Sequence, residues 1–446
     1  MKFETILEKF KTKLGSQGSL EFEIFLVRQL QSSVEAKEGQ VNSFESAETL
    51  GAGLRVIQNK KFGFAYTSDF TEAGLDQAVR VAVDTAQYSD ANPFLNFPQK
   101  RENEVELQDY DPSYLSTSPQ KQIELALELE KSALAESSKV KRVRGASYQG
   151  GVYEVWLVNS WGLFAHHQKT MNVLSLMAVA EEGEEAEAGY EFSFSSFLKD
   201  LNPRQVGKQA ARKALSYLGG KPGPTLKGPV LLDPLAAAEI LEVLAPSFYA
   251  DRIIKQCSLF DKKHLGTQIL SPQISLVEDG LLKAGYASFP FDGEGVPKTR
   301  VCVVRQGQWQ SLFADTEYAN RLGMPSSGSS VREDFKRPPR IGCSNFFIEP
   351  GEHTPEALLQ KIDQGVLITE LIGMHTANPI SGDFSVGAQG FLIQKGEKAY
   401  PVKQIALSGN LKTMMNQVEE VGSDLRFAFK MGSPSLLISE MDVAGV

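Results

Sequence analysis

The sequence predicts an α+β protein of two domains, residues 1–220 and 221–446, on three observations. At 446 residues the chain can fill more than one hydrophobic core. Amphipathic helical stretches alternate with short, turn-separated strands in the first half, whereas strands dominate the second. Between the halves lies Lys221 to Pro229, KPGPTLKGP, whose prolines and glycines interrupt helix and strand patterns alike and read as a linker.

The first half opens with Phe3, Ile6, Leu7, Phe10 and Leu14 on one helical face, ended near Gly15. Phe22 to Val27 alternates as a strand towards Val34, and Leu54 to Ile57 and Phe62 to Tyr66 flank a hairpin turn at Gln58-Asn59-Lys60-Lys61. A second helix starts near Thr71 with Leu75, Ala78, Val79, Ala82 and Ala86 inward and Asp69 and Glu72 as a capping pair. Residues 88–117 hold Pro93, Pro98 and Pro112 and predict an extended crossing, after which Ser118-Pro119 caps a third helix. Four short strands are expected at Arg142–Ser147, Tyr153–Val158, Leu163–His167 and Val173–Val179, broken by Gly150-Gly151, the Asn159–Gly162 turn and Lys169–Asn172. The glutamate run Glu181–Glu187 reads as a solvated bend, and Asn202-Pro203 starts a helix along Val206, Ala210, Ala214 and Leu218.

The second half begins with a strand, Val230–Leu232, and a helix from Asp233-Pro234 to about Pro246. Val301–Val304 with Trp309–Phe313, and Phe391–Ile393 with Ala399–Val402, read as hairpins around Gln306-Gly307 and Lys395–Glu397. Pro325–Pro339, PSSGSSVREDFKRPP, reads as a mobile loop.

Composition narrows the function classes. With 46 basic against 55 acidic residues the net charge is -9, which disfavours direct nucleic-acid binding. No run of about 18 apolar residues exists to span a membrane, and the N-terminal stretch lacks the apolar segment of a signal peptide, so a cytoplasmic address is expected. Cys257, Cys302 and Cys343 are odd in number and far apart, and read as reduced thiols.

The stretch richest in reactive groups is Met374–Phe391, MHTANPISGDFSVGAQGF. It places His375, Thr376, Ser381, Asp383 and Ser385 beside the turn pairs Asn378-Pro379 and Ser381-Gly382, between strand candidates Gly365–Ile372 and Gly390–Gln394. On its residues alone it is either a functional loop or a long hairpin connection with a satisfied histidine.

This loop resembles the C-terminal segment of the PmbA branch of the TldD/PmbA family, often labelled modulators of DNA gyrase. Four further stretches carry the same resemblance in the family's order. They are Glu45–Asp69, the turn Asn159-Ser160-Trp161-Gly162, FPFDGEGVP at Phe289–Pro297 with Gly293 in place of an acidic residue, and Val421–Gly445. The resemblance implies a cytoplasmic metalloprotease complex acting on small or unfolded polypeptides, rather than contact with DNA. It implies the family's two-domain fold, with the C-terminal strands curled into a barrel-like sheet. In the TldD branch an H-E-x-x-x-H motif binds zinc; it would fall on Leu241–Pro246, where only Glu242 matches the catalytic glutamate, and that branch's zinc-binding cysteine would fall on Val421. The chain is therefore expected to hold no metal itself and to act as a dimer, as the zinc-free partner of a TldD-like subunit or as a homodimer. His375, Asn378, Ser381, Asp383, Asp292 and Glu294 would line the substrate cavity, with a capped turn as the competing reading for Asp292 and Glu294. Two alternatives stay open. One is an autonomous metallopeptidase built from His375, Asp383, Glu242 and the pair His166-His167, although adjacent strand residues point to opposite faces. The other is a homo-oligomeric peptide-binding protein without catalysis.

Overall fold

In the computed structural model, which describes residues 3–99 and 105–445, the first apolar periodicity becomes helix α1 (Phe3–Gly15), burying Ile6, Leu7, Phe10 and Leu14. The strands of the first half are β1 (Glu21–Lys37), β2 (Gln40–Gln58), β3 (Lys61–Thr67), β4 (Val140–Asn159), β5 (Phe164–Glu182) and β6 (Glu185–Ser195). They form one antiparallel sheet in the order β3-β2-β1-β4-β5-β6. The β2–β3 turn places Asn59 and Lys60 at φ 52° and 61°, the left-handed geometry that a tight hairpin matching the sheet's twist requires.

Helices cover one face of this sheet. Helix α1 and α2 (Glu72–Tyr88) pack on Ile24, Leu26, Leu54 and Val56. At the other end α3 (Pro119–Leu134) and α4 (Pro203–Ser216) pack on Val34, Ala146, Tyr148 and Leu176. Ser118 and Asn202 cap α3 and α4 as expected. Helix α2 departs from expectation: its cap is Thr71, whose hydroxyl accepts from Gly74 N–H, while Asp69 accepts from Thr71 N–H in the turn before it. The short Asp69 side chain is used by the nearest backbone donor and does not reach the helix proper. In the expected crossing, residues 100–104 lie outside the described residues; the rest carries no strand and one 3₁₀ turn, Pro112–Ser116.

The four short strands expected between 142 and 179 are two long ones, β4 and β5. Gly150 and Gly151 sit mid-strand opposite Ser32 and Gln31, and a Cβ on Gly151 would come within 2.5 Å of the Leu30 carbonyl oxygen. The pair marks a close backbone approach, not a break. Lys169 and Asn172, polar enough to suggest a turn, are buried and satisfied: Lys169 donates to the Tyr286 and Ser288 carbonyls, and Asn172 accepts from the Tyr148 hydroxyl at 2.8 Å. The glutamate run is a hairpin bend, yet Glu185 and Glu187 hold Lys403 of the second half at 2.6 and 3.0 Å.

In the second half, Leu226–Leu232, Gln364–Ile372, Asp383–Gln394, Glu397–Asn410 and Leu436–Gly445 pair in sequence, and the last pairs back to both the first and the fourth, closing a barrel. The segment read as a linker contributes to it. Lys221–Pro222 pairs with Val402-Lys403 at the edge, and the Leu226–Leu232 ladder slips where Pro229 cannot donate. Helix α5 (Pro234–Leu244), capped by Asp233 through Ala236 N–H at 2.9 Å, shares the barrel's core.

The segment Pro325–Pro339 is not a free loop. Ser330-Val331 pairs with Arg340-Ile341, the Arg332 guanidinium is paired with Glu23 of β1, and Phe335 is buried against β2, its ring over Gly51 and its carbonyl over Gly53. Its Ser/Gly/Pro composition is that of a loop, but its anchors lie in the other half of the chain. The uncovered face of the first sheet thereby becomes the junction, packed by Phe25, Val27, Val155, Leu157, Phe291 and Phe335.

Candidate functional site

The loop after Ile372 turns at Gly373, which adopts φ 89°, and re-enters the barrel at Asp383. Asn378 organises it: its Oδ1 accepts from the N–H groups of Ile380 (2.9 Å) and Ser381 (3.2 Å), and its own N–H donates to the Asp383 carbonyl. Asp383 accepts from Asn410 Nδ2 at 2.8 Å, and the hydrogen bonds from Asn410 and Ser381 hold its carboxyl below the usual range. His375, Asn378, Ser381 and Asp383 thus sit together on an exposed surface loop, and Ser385 lies within the following strand.

Asp292 and Glu294 lie elsewhere, buried at the junction. Asp292 Oδ1 accepts from the N–H groups of Glu294 (2.8 Å) and Val296 (2.9 Å), and Oδ2 from Ser330 N–H (3.1 Å). Glu294 accepts from Arg55 Nη1 (2.9 Å) and Thr316 N–H (2.8 Å). Asp292 thus bridges its own turn, and Glu294 ties that turn to Arg55 and to the Thr316 backbone. Burial raises the Asp292 carboxyl, with the charge of Glu294 adding to it. For Glu294 burial is the largest single influence, but Arg55 and the hydrogen bonding of Thr316 together outweigh it, so its pKa is lowered.

Beside them, burial and then the charge of Glu294 push Asp315 up to about 7. A folded pKa above the ordinary 3.8 means that the folded state keeps the proton longer than the unfolded one. Asp315 therefore weighs nothing against folding at low pH and destabilises progressively as pH rises towards 7. Asp315→Asn keeps the cap on Tyr318 N–H. It is expected to leave stability unchanged at pH 4 and raise it at pH 8 by at least about 1.4 kcal/mol, the equivalent of one pKa unit. Urea unfolding at the two pH values measures this; an equal effect at both would mean that Asp315 is ionised throughout.

On α5, Glu242 is exposed, Leu241 is fully buried in the barrel core and Pro246 follows in a 3₁₀ turn. Neither Leu241, Pro246 nor the buried Val421 offers a lone pair to zinc, so the family's metal does not fit the corresponding positions of this chain. Among the described residues, no group of three His, Cys, Asp or Glu side chains is placed to hold a metal ion. His166 and His167 point to opposite faces, the first stacked on Trp156 and 3.1 Å from Glu154, the second against Phe289 and 2.9 Å from Asp109. Sequence reasoning passed over Glu239 on α5, which burial, then Glu370, Asp233 and Glu242, push up to about 7.

It also missed a groove. On the face without helices, where the second half stops covering the sheet, a cavity of about 420 Å³ is lined by Gln29, Gln31, Gln149, Gly151, Lys169 and Tyr286. The amides there offer hydrogen bonds in both senses, while Lys169, pulled down to about 8 by burial, is held by the carbonyls of Tyr286 and Ser288. One wall is β2, whose outer side has no strand partner among the described residues from Gln40 to Gly51, because β3 pairs only from Ala52 onward. Val41 and Phe44 are exposed along it. The signal is present in β1 as alternating Gln29, Gln31 and Ser33, but in sequence a polar face next to a groove looks like one next to bulk water.

Comparisons with known proteins cover nearly the whole chain. Three family profiles match in order: PmbA/TldA metallopeptidase domain 1 over residues 22–86, the central domain over 112–218 and the C-terminal domain over 225–445. Metalloprotease PmbA of Escherichia coli O157:H7 is 29% identical over 93% of this chain and 90% of its own length. A PmbA homologue of Haemophilus influenzae is 27% identical over 98% and 95%. Among solved structures, a candidate modulator of a DNA gyrase from Thermotoga maritima superposes with a TM-score of 0.91 at 27% identity, covering 99% of this chain and 100% of that one. TldE from Thermococcus kodakarensis shares the fold, with a TM-score of 0.89 at 22% identity over 99% of each chain.

Proposed function

The chain belongs to the TldD/PmbA metallopeptidase family, and from that premise we propose that it serves as the zinc-free subunit of a two-component metalloprotease acting on small or unfolded polypeptides. The observation that carries this reading is the loss of both ligand positions on α5, where a buried Leu241 and Pro246 stand in place of histidines. Without the metal, Glu242 has no water of lowered pKa to serve. What the chain retains is suited to holding a substrate. An extended peptide can add to the free edge of β2 between Gln40 and Gly51, its main chain hydrogen-bonded there and its side chains turned towards the groove. The exposed loop around His375 is the surface that would meet a partner, or the substrate that partner holds.

Elemental mass spectrometry of the dialysed chain tests the reading first. Zinc well below one atom per chain is expected, with peptide cleavage appearing only when a TldD-like chain carrying H-E-x-x-x-H is added. Retained stoichiometric zinc would overturn it and direct mutagenesis to His375, Asp383 and Glu242.

A further inference from the structure

Tyr153 borders the groove on one side and a second, smaller cavity of about 150 Å³ on the other. Phe25, Tyr153, Phe289 and Phe291 wall it between the two halves. The volume matches that of cavities that accept a benzene ring.

Lys298 lines this space and is only 5% exposed. Its stem lies over Gly280, where a Cβ would come within 2.5 Å of Lys298 Cδ. The nearest carboxylate oxygen, Glu278 Oε1, is 3.9 Å away and already accepts the N–H and hydroxyl of Ser344, so among the described residues the ammonium has no hydrogen bond. Ser330 Oγ, on the same lining, has no partner either. Arg332 holds its guanidinium 4.5 Å from the Phe25 ring centroid, with Nη1 unpaired. The lining carboxylate, Asp292, accepts from three backbone N–H groups. What is left over is donors without acceptors, one of them an ammonium that can only donate. An ammonium sunk in an aromatic cavity with a carboxylate at 3.9 Å but no hydrogen bond is incompletely compensated, and an anionic acceptor on an apolar body reduces that cost.

We propose that this cavity binds a small carboxylate carried on an aromatic or branched apolar group, with the carboxylate on Lys298 and Ser330 and the apolar part among the phenyl rings. Two sources share that chemistry: a free organic acid, and the C-terminal residue of a peptide lying in the groove beyond Tyr153. Only the second rests on the peptide-binding reading.

The test titrates the full chain with phenylacetate, phenylacetamide, Gly-Gly-Phe and Gly-Gly-Phe amide by calorimetry and thermal unfolding. An acid is expected to bind and to raise the melting midpoint, its amide counterpart binding about tenfold or more weakly. Binding of phenylacetate assigns the site to free acids, and binding of Gly-Gly-Phe alone assigns it to peptide termini. Lys298→Met, which keeps the stem, should erase the preference for acid over amide. Ala287→Leu, which fills the cavity from its wall, should abolish binding while leaving the midpoint without ligand unchanged. Absence of binding by either acid, or equal binding of acid and amide to the unmodified chain, overturns the proposal and leaves the cavity to water.

Discussion

Replacing Arg55 with Met is expected to lower the free energy of unfolding by about 3–5 kcal/mol, the usual consequence of removing one member of a buried ionic group. Arg55 of β2 donates Nε to Glu23 Oε1 at 2.9 Å, Nη2 to Glu23 Oε2 at 2.5 Å and Nη1 to Glu294 Oε1 at 2.9 Å. Burial would lower its pKa, but the charges of Glu23 and Glu294 outweigh this and raise it, so it stays a cation at any ordinary pH. Its loss leaves Glu23 with Arg332 alone and Glu294 with one backbone N–H. Because Glu23 and Arg55 belong to the first sheet and Glu294 to the second half, the damage falls on the junction. Tryptophan fluorescence separates the halves, since Trp156 and Trp161 report the first and Trp309 the second. Urea unfolding should show the two halves parting in the variant. Replacing Glu23, Arg55 and Glu294 together by apolar residues should recover much of the loss, because no charge is then stranded. A cost below about 1 kcal/mol for Arg55→Met would mean that water reaches the group and that it behaves as a surface pair.

The same group explains why the fold was more legible than the junction. Helices α1 to α5 follow from apolar spacing and from Ser118, Asn202 and Asp233 before prolines, all local signals. The barrel's hairpins follow from turn pairs such as Lys395-Gly396, where Lys395 takes φ 53° and Gly396 77°. What failed was non-local. Gly150-Gly151 reads as a break until Leu30 is known to lie against it, and Lys169 reads as a turn residue until the Tyr286 carbonyl is placed above it. The site divides in the same way. The polar character of the His375 loop was readable, but Asp292 and Glu294 lie apart from it in a buried turn, and the groove arises only when β1, β2, β4 and β5 are set side by side.

Phe335→Ala is the second large effect, expected to cost about 3–5 kcal/mol. The ring fills the space left by the missing side chain of Gly51, with Tyr66 edge-on at 6.1 Å, while the Phe335 carbonyl lies against Gly53. Nothing else on β2 can close that gap, so truncation leaves a cavity and frees the segment that Phe335 pins. Trypsin should then cut after Lys336 in the variant well before it cuts there in the unmodified chain. The mechanism has a sharper signature in the glycine. A Cβ at Gly51 would collide with the Phe335 ring, so Gly51→Val should destabilise the unmodified chain by about 1–3 kcal/mol through overpacking. In the Phe335→Ala background the same valine enters the vacated space, at a strand position that suits a β-branched residue. Its effect should change sign. A double-mutant cycle by urea unfolding reads this directly. If Gly51→Val costs the same in both backgrounds, the ring does not occupy the space over Gly51, and the anchoring of residues 325–339 comes from Arg332 and the Ser330-Val331 pairing instead.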